Sequence, residues 1–195
     1  MKKSMVLSYI LPFFLNTAMS LPAHSVQSNW KISPSSSFVK FQIKNMGMPV
    51  DGSFTKVSGD VDYDEHNLSA ASVHANINTG SIKTGIGMRD GHLKSKDFFD
   101  VSKFPDAEFS STKIKVSPNG TFQILGTLTL HGISQEVTLN AAPLKQKVNQ
   151  DGQTHLLTSA SANIKRKSFS IGGWTAAAIG NDVNIDLTID LIKAL

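Results

Sequence analysis

The sequence predicts an all-β protein of about eight antiparallel strands that close into a barrel or fold into a sandwich. Three observations predict it. Apolar residues recur at every second position in seven separate runs, the period of strands with one wet and one dry face, and Glu108–Val116 is added as an eighth. Turn residues separate most of the runs. One stretch of 27 residues, Thr79–Pro105, shows no alternation at all. Eight strands, each with a single apolar face, have no way to bury those faces except by closing on themselves or pairing as two sheets.

The runs follow in order. Val39, Phe41 and Ile43 alternate with Lys40, Gln42 and Lys44; Val57, Gly59, Val61 and Tyr63 alternate with polar neighbours; Ala71, Val73, Ala75 and Ile77 form the third face. Residues Glu108–Val116 make the fourth run, and Phe122, Ile124, Gly126, Leu128 and Leu130 share one face of the fifth. Val137, Leu139 and Ala141, then Leu156, Ala160, Ala162 and Ile164, supply the sixth and seventh. The last is the cleanest: Val183, Ile185, Leu187, Ile189 and Leu191 against Asn184, Asp186, Thr188 and Asp190. Asn119-Gly120 and Asp151-Gly152 predict two-residue hairpin turns of type I′, which need positive φ at both central residues.

Within Thr79–Pro105 the part near Arg89–Lys96 predicts a short helix despite Gly91. Phe98, Phe99 and Phe104 form an aromatic cluster that is costly to leave exposed. Loops of this length in compact domains usually carry function, and the segment is expected to cross over the barrel and lid one end. Small inward residues (Gly59, Ala71, Ala75, Gly126, Ala141, Ala160, Ala162) either leave an internal cavity or match a tapering, packed interior.

Residues 1–25 read as a signal peptide: Lys2 and Lys3, an 11-residue apolar stretch from Met5 to Leu15 that is too short to span a bilayer, then small residues that offer cleavage before Val26 or before Leu21, where Pro22 makes the second site the poorer one. Residues 26–195 are then one exported domain. Hydrophobic residues make up 40% and charged residues 17%, the composition of a chain with a core. Without Lys2 and Lys3, 17 Lys and Arg face 15 Asp and Glu, a balance that does not mark a nucleic-acid binder. Cysteine is absent, which excludes disulfides, thiolate metal sites and cysteine nucleophiles.

Polar candidates for chemistry are few. Arg89, Asp90 and His92 concentrate beside the aromatic cluster and read either as a clamp for a polar head group or as a brace for the crossover. His131, with His92 and Asp90 or Asp97, is the constellation an exported hydrolase or metal-dependent enzyme would use, although no spacing motif fixes ligand geometry and no G-x-S-x-G is present. No catalytic residue, metal or cofactor is expected. Lys165, Arg166 and Lys167 read as a solvated strand end, with transient membrane contact as the functional alternative.

The stretch Thr84-Gly85-Ile86-Gly87-Met88-Arg89-Asp90-Gly91-His92-Leu93 resembles the T-G…R-D-x-H-L block of the YceI-like family. Ser95-Lys96-Asp97-Phe98-Phe99-Asp100-Val101 with Phe104-Pro105, and Gly126-Thr127-Leu128-Thr129-Leu130-His131-Gly132-Ile133, are similar to its next two blocks. The likeness runs from about Trp30 to the end of the chain. It implies a lipocalin-like, eight-stranded antiparallel barrel with the crossover segment partly helical, exported to the periplasm. It also implies an apolar channel holding a polyisoprenoid, a quinone-like molecule or another long-chain amphiphile, and a binding or carrier role rather than an enzymatic one. Where that family has R-x-D-F-G, this chain reads Arg166-Lys167-Ser168-Phe169-Ser170, which leaves the local conformation open. Alternation nominates Val39, Phe41, Ile43, Val57, Val61, Ile77, Phe98, Phe99, Leu128, Leu130 and Ile185 as channel lining. An exposed sheet edge beside the crossover would allow a homodimer.

Overall fold

The fold was analysed in a computed structural model that describes residues 28–150, 152–173 and 176–194. The expected signal peptide, its cleavage point and Asp151 lie outside the described residues.

Twelve short strands make eight staves. The strands are β1 (Ser28–Ile32), β2 (Phe38–Asn45), β3 (Met48–Phe54), β4 (Val57–Tyr63), β5 (Ser72–Asn78), β6 (Ile82–Lys83), β7 (Asp106–Val116), β8 (Phe122–Leu130), β9 (Ile133–Ala141), β10 (Lys145–Val148), β11 (Thr154–Lys165) and β12 (Ile179–Lys193). All pairings are antiparallel, and β11–β9–β8–β7–β5–β4–β1–β12 closes back onto β11. The barrel alternative is therefore the correct one. Four staves are broken in two, which period-two reading shows only as runs that stop short. β1 and β2 follow one another along β12, at Leu191–Lys193 and Ile179–Thr188. β3 and β4, β5 and β6, and β9 and β10 are joined in the same way.

Hydroxyl groups hold the breaks. At Ser33–Ser37 the ladder is replaced by bonds to Asp190: Ser33 N–H donates to its carbonyl (2.8 Å), Ser36 Oγ to its carboxylate (2.6 Å), and Asp190 N–H donates to Ser37 Oγ (3.0 Å). His155 Nδ1 lies 2.8 Å from the other carboxylate oxygen. Between β3 and β4, the amides of Thr55 and Lys56 both donate to Ser81 Oγ at 3.2 Å. Serine side chains bond readily to nearby backbone, so they end a strand without orphaning its amides.

The turns correct one expectation. Type I′ geometry occurs at Met46-Gly47 (φ 50 and 80) and His131-Gly132 (φ 53 and 74). At Asn119-Gly120 only Gly120 has positive φ (81), and Ser117 N–H bonds Thr121 O, the pattern of a three-residue loop ending in a left-handed glycine. Pro118 favours that loop by fixing its own φ in the right-handed region.

The crossover begins differently from its expected irregular start, as a 3-10 turn at Thr79–Ser81 followed by β6. Helix α1 then runs Gly87–Lys94. Phe98 is buried, while Phe99 and Phe104 are half-buried. Thr79 Oγ1 sits 2.8 Å from the carbonyls of both Phe104 and Pro105, tying the two ends of the segment together.

Candidate functional site

The inward faces enclose a cavity of ≈ 270 Å³ open to water-sized molecules. About 10–15 Å³ suffices to admit one water, so the interior is a channel, and the fully packed barrel is excluded. It runs from Asn45, Val50, Thr84 and Arg89 at the crossover end to Leu68, Ile114, Phe122 and Leu139 at the other. Among its lining residues only Asn45, Tyr63, Thr84, Arg89, Thr158 and Arg166 are polar, and four of these six belong to the crossover end.

All eleven nominated apolar residues line this cavity: Val39, Phe41 and Ile43 from β2, Val57 and Val61 from β4, Ile77 from β5, Phe98 and Phe99 from the crossover, Leu128 and Leu130 from β8, and Ile185 from β12. Strand alternation places the nine on strands, because a period of two puts every second side chain on the inner face; Phe98 and Phe99 reach the cavity from the crossover. Ala71, Ala75, Ala141, Ala160 and Ala162 line it as well and leave its width. Gly59 and Gly126 do not provide room. A Cβ on Gly126 would meet the Phe109 ring and the Ser110 carbonyl at 2.5 Å, and one on Gly59 would meet the His74 carbonyl at 2.1 Å.

The polar group beside the aromatics is organised by Thr84, which sequence reasoning missed. Arg89 donates from Nε to Thr84 Oγ1 (2.7 Å) and from Nη2 to its carbonyl (2.8 Å). Asp90 Oδ1 accepts from Thr84 N–H (2.8 Å) and Oγ1 (2.6 Å). These bonds hold the Asp90 carboxyl below its ordinary pKa, led by the Thr84 hydroxyl and opposed by partial desolvation, with Lys94 and Arg89 adding smaller contributions in the same direction. Arg89 lines the channel and its Nη1 has no partner among the described residues. His92 turns away from the channel: its Nε2 lies 3.3 Å from Asp97 and its ring stacks edge-on against Phe98.

His131 does not join His92. Its Nδ1 is 3.1 Å from the Phe169 carbonyl and its ring packs on Phe104. Asp90, His92 and His131 therefore each serve a different neighbour. Among the described residues no group of three His, Asp or Glu is placed to hold a metal ion.

Arg166 corrects the reading of Lys165–Lys167 as a solvated strand end. Lys165 and Lys167 are exposed, and Lys165 pairs with Asp182. Arg166 is 4% exposed and lines the channel. Its guanidinium donates five bonds of 2.7–2.8 Å to the carbonyls of Gly180, Ile171, Gly172, Ala176 and Ile179. No carboxylate shares these bonds, and burial lowers its pKa. The turn from β11 to β12 is wrapped around this one side chain. Ser170, where the R-x-D-F-G pattern has glycine, adopts the left-handed conformation itself (φ 54, ψ 28). Nothing in a period-two pattern marks an inward arginine that caps a turn, and only its place in that pattern singled the segment out.

Comparison with other proteins places this architecture. Residues 30–191 match the YceI-like domain. A UPF0312 protein of Yersinia enterocolitica is 33% identical over 188 residues, 95% of this chain and 97% of the relative. A UPF0312 protein of Yersinia pestis is 34% identical over 170 residues, 86% of this chain and 88% of its own. Among solved structures, Burkholderia cenocepacia BcnA superposes with a TM-score of 0.72 at 24% identity, covering 82% of this chain and 98% of that one. A Campylobacter jejuni YCEI protein gives 0.64 at 27%, covering 75% and 86%. A polyisoprenoid binding domain from Saccharophagus degradans gives 0.65 at 16%, covering 86% and 99%, a likeness of fold.

Proposed function

This chain belongs to the YceI-like family, and from that premise we propose that it binds a long-chain apolar ligand in the barrel channel and carries it through the periplasm. The ligand is a polyisoprenoid, a quinone-like molecule or a fatty-acyl amphiphile. One observation carries the reading. The channel wall is apolar from end to end except for a few polar groups, most of them at the crossover end. Each CH₂ buried against such a wall contributes about 0.8 kcal/mol before ordering of the chain is subtracted. Apolar walls discriminate poorly between chains of similar width, so selectivity falls to the polar end. There the free Nη1 of Arg89, fixed by Thr84, is the donor for a head-group oxygen. Asp90 positions that donor, and His92 braces the crossover without touching the ligand.

In this reading residues 1–25 direct export and the crossover end is the mouth. At that end β6 pairs only with β3, and β9 meets β11 only at Asn140 and Ala141, further down the barrel. The strands splay there; at the opposite end the seam between β5 and β7 also opens beyond Ser110, but Leu68 of the 3-10 turn Leu68–Ala70 packs over it against the cluster around Ile114. No chemical step is assigned to the protein.

The test is a native mass spectrum of the protein purified from the periplasm, followed by extraction and identification of any bound compound. A discrete added mass that resolves to a prenyl or long acyl chain, on a chain beginning at Val26, is the expected result. An apo protein that also fails to take up added prenyl lipid would overturn the carrier reading.

A further inference from the structure

Large apolar side chains are exposed chiefly at the mouth. Met46, Met48, Ile86 and Met88 are 81, 69, 53 and 88% exposed. Each lies within two residues of a channel-lining side chain: Met46 beside Asn45, Met48 near Val50, Ile86 near Thr84, and Met88 beside Arg89. The two tips stand free, since a Cβ added at Gly47, Gly85 or Gly87 would meet no atom within 4 Å. Among the described residues the other exposed large apolar ones, Val116 and Val148, sit singly at strand ends on the opposite side of the barrel.

The surroundings of the tips are basic. The crossover carries Lys83, Arg89, Lys94, Lys96 and Lys103 against Asp90, Asp97 and Asp100. Two of those carboxylates are engaged, Asp90 by Thr84 and Asp97 by His92. Lys83, Lys96 and Lys167 are exposed and hold no ion pair among the described residues.

We propose that this rim docks the barrel, mouth first, onto an anionic lipid bilayer. Methionine and isoleucine enter the boundary between head groups and acyl chains, while the lysines remain among the negative head groups. Neither part is strong alone: a few apolar side chains give weak binding, and so does a small cluster of cations, but the two act together. The docking surface borders the polar end of the channel, so a chain leaving the bilayer reaches the apolar wall along a short path. The proposal rests on the carrier reading for its purpose, not for its geometry.

The experiment is vesicle flotation with the purified full chain at low and high salt. One set of vesicles is phosphatidylcholine alone and the other contains a third phosphatidylglycerol. Two variants accompany the parent protein: Met46→Ser/Met48→Ser/Ile86→Ser/Met88→Ser, and Lys83→Glu/Lys96→Glu/Lys167→Glu. All carry the same N-terminus, so differences between them report the rim. The parent is expected to float with the anionic vesicles and to be released by salt, and each variant to bind at least tenfold more weakly. Uptake of a detergent-dispersed prenyl alcohol is measured on the same three proteins and should be equal. Failure of the parent to float, or flotation of the apolar variant as strong as the parent's, overturns the docking proposal. Flotation by the parent with loss in both variants, but no prenyl uptake by any, upholds docking and removes the carrier reading instead.

Discussion

The two ends of the barrel are made from the same eight staves and are held in opposite ways. At the end away from the crossover the seam between β5 and β7 opens beyond Ser110, and it is closed by packing: Phe109, Ile114, Phe122 and Ile124 form one buried cluster with Leu68 against it. At the crossover end the ladders part on both sides, between β9 and β11 and along β3, and charged side chains hold the parted backbone. Arg166 gathers five carbonyls and Thr84 binds Arg89 and Asp90 together. A hydrogen-bonded ring gives a rigid wall but no doorway. A doorway needs backbone groups released from the ladder, and those groups must then be satisfied by side chains brought in for the purpose.

The strongest way to break this division is Arg166→Met. The substitution retains the apolar stem and strips five carbonyls of their donors, three of them buried. Breaking such a cage costs on the order of 3–5 kcal/mol, which lowers Tm by roughly 6–20 °C at this size. Arg166→Lys should rescue little, because an ammonium cannot present the planar fork. Hydrogen exchange decides whether the two ends are separate units. Protection is expected to fall from Arg166 to Gly180 and in the crossover while β7 and β8 keep theirs; equal loss everywhere would show a single cooperative barrel.

Next in size is Ala75→Phe, which acts on the wall both ends share. Ala75 projects into the channel, so the ring fills space that a ligand needs. Prenyl-lipid uptake should drop at least tenfold with little change in Tm. A core already packed would instead lose about 1–3 kcal/mol, and uptake would not respond. Gly126→Leu would not make this test, since its side chain would meet Ser110 backbone before reaching the channel.

The two ends also differ in how legible they are. Alternation located seven of the eight staves and the nine nominated lining residues that sit on strands, because a wall with one wet and one dry face writes its structure into every second letter. The crossover announced itself by the loss of that rhythm, and its phenylalanines by their apolarity. Thr84 was hidden because a threonine looks alike whether its hydroxyl meets water or knots two charged neighbours together. Arg166 was hidden because composition makes it surface, and only the carbonyls of a turn that folds around it make it core. The stave breaks were invisible for a related reason: Ser33, Ser37 and Ser81 are buried, but a serine run reads as solvent loop. Side chains that satisfy backbone are selected by geometry, and geometry leaves no period in the sequence.

The Thr84 knot yields a smaller, pH-dependent effect. Its bonds hold the Asp90 carboxyl below the usual 3.8 when folded. A carboxyl with a depressed folded pKa stabilises the fold at pH values above its unfolded pKa, and that contribution is lost as pH falls through the folded value. The stability gap between the parent and Asp90→Asn should therefore be widest near neutral pH and shrink below about pH 4. Urea unfolding at pH 7 and pH 3 measures it. A gap that does not change with pH would mean the knot acts through shape alone.

The smallest effect expected sharpens the comparison from the other side. Ser170 holds a left-handed conformation (φ 54) immediately after the cage residue. For an L-residue that region costs roughly 1–2 kcal/mol relative to glycine. Its hydroxyl has no bond among the described residues to offset this, and its amide already closes the turn onto Lys167 O. Ser170→Gly gives back part of that gain because glycine frees the unfolded chain. A net stabilisation of about 0.5–1 kcal/mol remains, or roughly 1–4 °C in Tm, with Ser170→Ala giving none. If glycine stabilises the turn while prenyl uptake stays the same, the strain at the mouth is incidental. If glycine stabilises the turn and slows uptake, that strained residue is part of how the doorway moves.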